Sequence, residues 1–274
     1  MRSLTVYIFF TFLGLMAGQG TLAQSSPALT LVESIAANSD FFTVDPLGNL
    51  YWTNREGLTK YEPASKTYLH YSNPRFGQIH LVDASDPLNV MVYHRDFMHI
   101  VWLDRNLAEK EAPHSAAGIL PGFPGVVCSS ALGGFWVFVP QDMRLQQYSQ
   151  DFRLQAQSLP FFEILPAFGE PAFITEANAR LYVSEPNAGI AVFDTFGNFL
   201  FIIEKKGIER FQVQGNHVVW FSEKELINFD FVLQEETLFL LPETKIRSGL
   251  VSGSKIWVHT GNDIRIYQAA GRLF

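Results

Sequence analysis

The stretch "FFTVDPLGNLYWTNREGLTKYEP" (residues 41–63) contains three short runs of aromatic and β-branched residues, separated by the sequences "DPLGN" and "NREG". Aromatic and β-branched side chains favour strands, whereas Pro, Gly, Asn and Asp are the residues that form tight turns. The stretch therefore predicts three antiparallel strands joined by two tight turns.

The same pattern returns five more times along the chain. The runs equivalent to "LYWTN" lie at residues 50–54, 90–95, 135–140, 181–186, 218–223 and 255–260. A fourth run often follows, as in "TYLHYS" and "FLFIIEK". Units of about 37 to 47 residues with four antiparallel strands are typical of a β-propeller. The sequence thus predicts an all-β, six-bladed propeller over residues 24–274, with blades that start near residues 41, 78, 125, 171, 209 and 246.

The two ends of the repeat complement each other. The last unit shows only three clear strands, and one unassigned run, "LTLVESI" (residues 29–35), precedes the first unit. We expect this run to supply the outer strand of the last blade, because that pairing closes the ring and covers an exposed sheet edge.

Residues 1–23 have the pattern of a cleavable signal peptide. Arg2 precedes an apolar run at residues 4–18, and the small residues Thr21 and Ala23 follow. The alternative is a membrane anchor, but the run is shorter than the roughly 20 residues that a spanning helix needs. We therefore expect export and no stable membrane span after cleavage. The single cysteine, Cys128, allows no intramolecular disulfide, which suits a bacterial periplasm or cell surface.

Charge and motifs exclude several functions. The net charge is −7 and no Lys/Arg cluster is present, so nucleic-acid binding is not expected. Hydrolase motifs, phosphate-binding glycine loops and Cys/His zinc spacings are absent from the sequence. We predict no cofactor, and a binding protein more readily than an enzyme.

The segments "TVDPLGNLYWTN", "LTKYEP" and "IAVFDTFGNFLFII" resemble the NHL-type and TolB-like six-bladed propellers, which carry an Asp-x-x-Gly-Asn turn before a strand. The resemblance covers residues 29–274, although units five and six depart from it with "QGNH" and "SGSK". It implies the fold more than an activity, because the shared motif is a turn.

Three acids occupy equivalent points at the end of the first strand of units 1, 2 and 4: Asp45, Asp83 and Glu176. Gluconolactonase-type hydrolases are also six-bladed, and this resemblance implies a cation held by inner-strand acids. The favoured alternative is that these acids hydrogen-bond the backbone of the following turn.

Loops held on a rigid scaffold are where binding residues concentrate. Between strands and between blades, the sequence places basic and aromatic residues that we predict to contact a partner: Arg55, Arg75, Phe76, Arg95, Phe97, Phe123, Arg144, Phe168, Arg210 and Arg247. Phe76, Phe123 and Phe168 share a Pro-x-Phe-Gly/Pro pattern, and they could instead wedge between adjacent blades. The predicted function is a non-catalytic scaffold for a protein of envelope assembly or secretion. The alternatives are a metal-dependent, gluconolactonase-like hydrolase and a small-ligand or glycan-binding propeller.

Overall fold

The computed structural model describes residues 28–111, 114–120, 125–271 and 273. The predicted signal peptide lies outside these residues, as does Phe123. The described residues form 24 strands in six antiparallel sheets of four strands each.

Each sheet is one blade. The strands, in chain order and grouped by blade, are β1 (Leu29–Ala36) of blade 6; β2 (Phe41–Val44), β3 (Leu50–Asn54), β4 (Gly57–Glu62) and β5 (Thr67–Tyr71) of blade 1; β6 (Leu81–Asp83), β7 (Val90–His94), β8 (His99–Leu103) and β9 (His114–Ser115) of blade 2; β10 (Val127–Ser129), β11 (Phe135–Val139), β12 (Arg144–Tyr148) and β13 (Leu154–Gln157) of blade 3; β14 (Phe173–Ala177), β15 (Arg180–Glu185), β16 (Gly189–Asp194) and β17 (Phe199–Ile203) of blade 4; β18 (Gln212–Gln214), β19 (His217–Phe221), β20 (Glu225–Asp230) and β21 (Glu235–Leu240) of blade 5; and β22 (Ser248–Ser252), β23 (Lys255–His259) and β24 (Asp263–Ala269) of blade 6. One turn of 3₁₀ helix (Pro74–Phe76) and one of α-helix, α1 (Phe161–Ile164), lie between blades.

The ring closes as the sequence predicted. Strand β1 pairs antiparallel with β24 and is the outermost strand of blade 6. The innermost strand of that blade, β22, in turn contacts β2 of blade 1. The prediction of a six-bladed propeller completed by an N-terminal strand is therefore confirmed.

The hydrophobic core is a ring of six clusters, each of which lies between two neighbouring blades. The cluster between blades 3 and 4, for example, joins Trp136 and Phe138 to Leu181 and Phe193. Because both faces of each sheet are covered, the second strands are buried on both sides, and β7 and β11 are buried at every residue. This explains why these runs read as continuous apolar segments instead of alternating ones.

The Asp-x-x-Gly-Asn motif forms the same turn in two blades. In blade 1, Oδ1 of Asp45 accepts hydrogen bonds from the backbone N–H groups of Leu47 and Asn49, both at 2.9 Å. In blade 4, Oδ1 of Asp194 accepts the equivalent two bonds at the same distances. The motif thus sets a turn geometry and occurs at two different positions within a blade.

Within the described ranges, the structure contains no helix whose length and apolar character would allow it to cross a membrane.

Candidate functional site at the mouth of the channel

The innermost strands of the six blades surround a central cavity of about 930 Å³. We call the end at which these strands begin the mouth, and the opposite end the far end. All six innermost strands run from the mouth to the far end, so the loops from the second to the third strand of each blade return to the mouth side. The two ends carry different side chains.

At the far end, Asp45 is buried and all its hydrogen bonds are to groups of blade 1. Besides the two turn amides, its Oδ2 accepts bonds from Nδ2 of Asn49 at 2.9 Å and from the hydroxyl of Tyr51 at 3.0 Å. Burial, together with the nearby Asp45 carboxylate, raises the pKa of Tyr51, so that this hydroxyl remains a donor. Asp45 therefore stabilises the turn and the adjoining strand.

Asp83 and Glu176 instead connect neighbouring blades. Oδ2 of Asp83 accepts the backbone N–H of Ser129 in blade 3 at 2.8 Å. Glu176 of blade 4 accepts the backbone N–H of Ala131 at 3.2 Å and the indole N–H of Trp136 at 3.0 Å, both in blade 3. These carboxylates bind protein donors, which does not favour the metal-dependent alternative. Across the described ranges, the structure shows no group of three His, Cys, Asp or Glu side chains that could hold a metal ion.

A third connection of this kind joins blades 5 and 6. The side-chain amide of Gln212 accepts the backbone N–H of Val251 at 2.6 Å and donates to the carbonyl of Val251 at 3.2 Å. Gln214 donates to the same carbonyl at 3.0 Å. An innermost strand is a sheet edge whose backbone groups lack a ladder partner on one side, and here a polar side chain of the next blade supplies that partner.

We expect Gln212→Leu to lower the free energy of unfolding by about 1–3 kcal/mol, because it leaves the N–H of Val251 without its acceptor. Gln214→Leu is the matched control and should cost less than about 1 kcal/mol, since the carbonyl of Val251 keeps its bond from Gln212. Equilibrium unfolding in urea measures both. Equal losses in the two variants would contradict this account of the blade connection.

At the mouth, Arg210 reaches across the channel. It precedes β18 of blade 5, yet its guanidinium carbon lies 5.0 Å from the ring centroid of Phe41 in blade 1. The side chain is exposed towards the mouth, but enough protein surrounds the guanidinium that desolvation lowers its pKa below the ordinary value, against the opposing effect of Glu209. The group stays charged, because an arginine is not deprotonated in proteins.

Arg247 precedes β22 of blade 6 and also lines the cavity. Its side chain runs along the backbone of Gly261, where a Cβ atom would approach within 2.8 Å of Nε and 2.9 Å of Cζ. Its backbone N–H donates to the carbonyl of His259 at 2.9 Å. The buried His259 ring lies 3.1 Å from Oγ of Ser39, and both burial and the charge of Arg247 lower its pKa.

Aromatic rings complete the mouth. Four partly buried aromatic residues line the cavity at this end: Phe41, Phe173, Trp220 and Phe221. They come from blades 1, 4 and 5, and each lies at the mouth end of its strand. The mouth therefore combines two arginines with an incomplete ring of aromatic faces.

The other predicted residues are distributed around the mouth side. Phe76 stacks on His99 with ring centroids 4.2 Å apart, and the exposed Arg75, Arg95 and Phe97 lie on the same segments of blades 1 and 2. Of the predicted residues, Arg75, Phe76, Arg95 and Phe97 therefore lie together on the rim, and we call them the rim cluster.

Arg55 and Arg144 lie on separate blades. Arg55 is exposed in the β3–β4 loop, and Arg144 begins β12 with a buried Nε that has no hydrogen-bond partner among the described residues. The structure therefore does not bring these two arginines into one site with Arg210 and Arg247.

Phe168 lies in the hydrophobic core. It is only 6% exposed and packs edge to face against Phe161, with centroids 6.1 Å apart, in the cluster between blades 3 and 4. A ring this buried has no surface to offer a partner, and its position is that of a wedge between blades.

Sequence reasoning missed the four channel aromatics. The chain contains 25 Phe residues, so an aromatic residue in a strand carries little information by itself. The available signal was position: Phe41 and Phe173 open the innermost strands of their blades, while Trp220 and Phe221 end a second strand at the mouth side.

Comparison with solved structures shows what this architecture is similar to. A catalytically inactive virginiamycin B lyase from Staphylococcus aureus, with quinupristin, matches with a TM-score of 0.61 and 15% identity over 88% of this chain and 99% of that chain. BamB from Moraxella catarrhalis matches with a TM-score of 0.51 and 12% identity over 90% and 99%. The likeness is one of fold. A chain of the mitotic checkpoint complex has a similar fold, with a TM-score of 0.64 and 7% identity over 99% of both chains.

No protein-family model and no curated protein matches the sequence. The NHL or TolB-like type stays a prediction. One fold serves many functions, so the likeness in fold does not assign one to this chain.

Proposed function

We propose that the protein is an exported, non-catalytic β-propeller of the NHL or TolB-like type that docks a protein partner of the bacterial cell envelope, in its assembly or in secretion. The observation that carries this proposal is that Arg210, Arg247 and four partly exposed aromatic residues line the mouth of one open cavity. Arginine and aromatic side chains in a central pocket are the residues that supply most binding energy at protein interfaces.

The rim cluster extends this surface outwards. Phe97 is 56% exposed in the loop between β7 and β8, beside the Phe76–His99 stack. A partner seated on the mouth would contact both the channel arginines and this rim. The proposed compartment rests on the predicted signal peptide and on the single cysteine, which is buried with a pKa raised by desolvation and so is a poor nucleophile.

Photo-cross-linking in the cell that makes the protein tests the docking surface. A benzoylphenylalanine in place of Phe97 should yield one discrete protein adduct in the envelope fraction, and Arg210→Gln together with Arg247→Gln should reduce that adduct. The matched control places the same group at Leu132, which is 67% exposed but lies in the β10–β11 turn on the opposite side.

Two results would overturn the proposal. Adducts of equal yield from both positions would show that the mouth side is not the docking surface. Recovery of the folded protein in the cytoplasmic fraction would show that it is not exported.

A further inference from the structure

A buried histidine, His94, holds one half of the rim cluster in place. It ends β7 and is only 1% exposed. Its Nδ1 donates a hydrogen bond of 3.2 Å to the carbonyl of Gly77, because a carbonyl oxygen can only accept. Gly77 directly follows the 3₁₀ turn that carries Arg75 and Phe76. The imidazole of blade 2 therefore fixes the backbone from which these two rim residues project.

The ring of Phe76 lies against two histidines. It stacks on His99 with centroids 4.2 Å apart and meets His94 edge to face at 5.6 Å. The two histidines are directly opposite each other in the β7–β8 hairpin. The position of Phe76 on the rim thus depends on that hairpin.

The backbone after Phe76 packs closely against the β7–β8 loop. Gly77 has a φ of 75°, and an added Cβ would lie 2.8 Å from Oδ2 of Asp96 and 3.3 Å from the ring of Phe97. The backbone N–H of Gln78 donates to the same Asp96 oxygen at 3.4 Å. Residues 74–78 and the loop that carries Phe97 therefore keep their relative position only while this contact is closed.

Nothing in the surroundings of His94 stabilises a second proton on the ring. With hydrogen on Nδ1, the other nitrogen is an acceptor, and this Nε2 is buried without a hydrogen-bond partner in the described part of the chain. Protonation would turn it into a buried donor without an acceptor, which is costly. Across residues 28–111, 114–120, 125–271 and 273, no carboxylate oxygen lies within 4.0 Å of a nitrogen of His94.

The titratable groups that face the ring do not change this balance. They are Tyr71 of β5, Asp96 of the β7–β8 loop, His99 of β8 and Glu109. Glu109 already accepts the hydroxyl of Tyr71 at 3.0 Å and the side-chain amide of Asn73 at 3.1 Å. Burial, and to a smaller extent the charge of His99, lower the pKa of His94 against the opposing effects of the Gly77 carbonyl and the two carboxylates.

We propose that His94 is a pH-sensitive contact that holds residues 74–78 on blade 2 while its ring is neutral and releases them in acid, so that the docked partner is bound at neutral pH and lost below it. This inference rests on the proposed function, because Arg75 and Phe76 belong to the proposed docking surface.

The direction follows from the two states of the ring. A released His94 takes up a proton near the ordinary histidine pKa of about 6.5, whereas the buried ring does so only at lower pH. The contact is therefore fully stable above about pH 6.5 and loses stability as the pH falls from there towards the lower pKa of the buried ring.

Hydrogen–deuterium exchange of the purified protein at pH 7.5 and pH 5.5, corrected for the intrinsic pH dependence of exchange, tests this contact. The backbone N–H groups of Phe76, Gly77 and Gln78 bond to Asn73, Pro74 and Asp96 and report whether the segment is closed. We expect their opening constant to rise roughly tenfold at pH 5.5, the factor that one pH unit below the ordinary histidine pKa gives. The amides of β15 in blade 4 should keep their protection.

Variants assign the response to one ring. His94→Asn keeps a donor near the position of Nδ1 but takes up no proton, so protection of residues 76–78 should no longer depend on pH. His70→Asn removes an exposed histidine from β5 and should leave the tenfold response intact. An NMR titration of the unmodified protein gives a second measurement that does not depend on the folding of a variant, and the His94 ring should titrate below pH 6.5.

Three results would overturn the proposal: equal protection at both pH values, a pH response that survives in His94→Asn, or a response that only His99→Asn abolishes. Cross-linking of the purified protein with benzoylphenylalanine at position 97 to the envelope fraction then separates the contact from the docking function. An adduct whose yield falls at pH 5.5, but not in His94→Asn, supports the regulation, and an adduct indifferent to pH rejects it. A pH-sensitive rim without any protein adduct would leave the contact standing and reject the docking function.

Discussion

A chain that begins at Asn38, without strand β1, is expected to lose its cooperative unfolding transition. Strand β1 pairs with β24 from Leu29–Ala269 to Ala36–Asp263, with one bulge between Leu31 and Glu33. Its removal exposes the backbone edge of β24 and opens the cluster between blades 6 and 1, to which Ile35 belongs with Trp257 and Ile266. The free energy of unfolding of a domain is only about 5–15 kcal/mol. The loss of a whole strand and its core contacts should cost more than this.

Far- and near-ultraviolet circular dichroism in urea measures this loss against the chain that begins at Gln24. Two single substitutions in β1, one at a buried and one at an exposed residue, give reference values for the loss of stability. Ile35→Ala should cost about 2–5 kcal/mol because Ile35 is only 5% exposed, whereas Leu31→Ser, at 50% exposure, should change stability by less than about 0.5 kcal/mol. A truncated chain with an unchanged denaturation midpoint would show that the ring does not depend on this closure.

Gly134→Ala is expected to be the most damaging single substitution in the turns. Gly134 has a φ of 79°, and an added Cβ would lie 1.9 Å from the carbonyl oxygen of Tyr148 and 2.7 Å from Cα of Ser149. Both obstacles are backbone, so β12 itself would have to move away from its partner β11. We expect a loss of more than about 4 kcal/mol, which is exceptional for one substitution, or failure to fold.

Gly133→Ala is the matched control in the same turn. Gly133 has a similar φ of 89°, but an added Cβ would meet nothing within 4 Å. It should therefore lower the free energy of unfolding by only about 1–2 kcal/mol, which is what a left-handed backbone conformation costs a residue with a Cβ atom. Soluble yield and urea midpoints of the two variants separate the cost of the steric contact from the cost of the left-handed backbone conformation. Similar losses would mean that the steric contact at Gly134 is relieved at little energetic cost.

The candidate site could be predicted from the sequence only in part. Arg210 and Arg247 were identifiable because they precede innermost strands, where connections between blades reach the channel. Phe168 occupies a comparable connection, yet the structure buries it. Whether an aromatic ring enters the core between blades or faces the channel depends on how neighbouring blades pack, and one strand's pattern does not contain that information.

The acids at the far end could also be predicted from the sequence only in part. The sequence identified Asp45, Asp83 and Glu176 as equivalent, and their position in the repeat is indeed similar. Their roles differ, because Asp45 binds its own turn, whereas Asp83 and Glu176 bind backbone groups of blade 3. These partners are about 45 residues away in sequence and become neighbours only when adjacent blades converge on the channel.

The sequence by itself determined the repeat, the number of blades and the closure of the ring by β1. Strand periodicity and turn residues act over a few neighbouring positions, and the strand count leaves one unassigned run before the first unit and a last unit that is one strand short. Only the tertiary structure decided which side chains meet at the mouth. Arg210 of blade 5 contacts Phe41 of blade 1 because six innermost strands converge around one axis. That convergence brings together residues from blades that no local pattern relates.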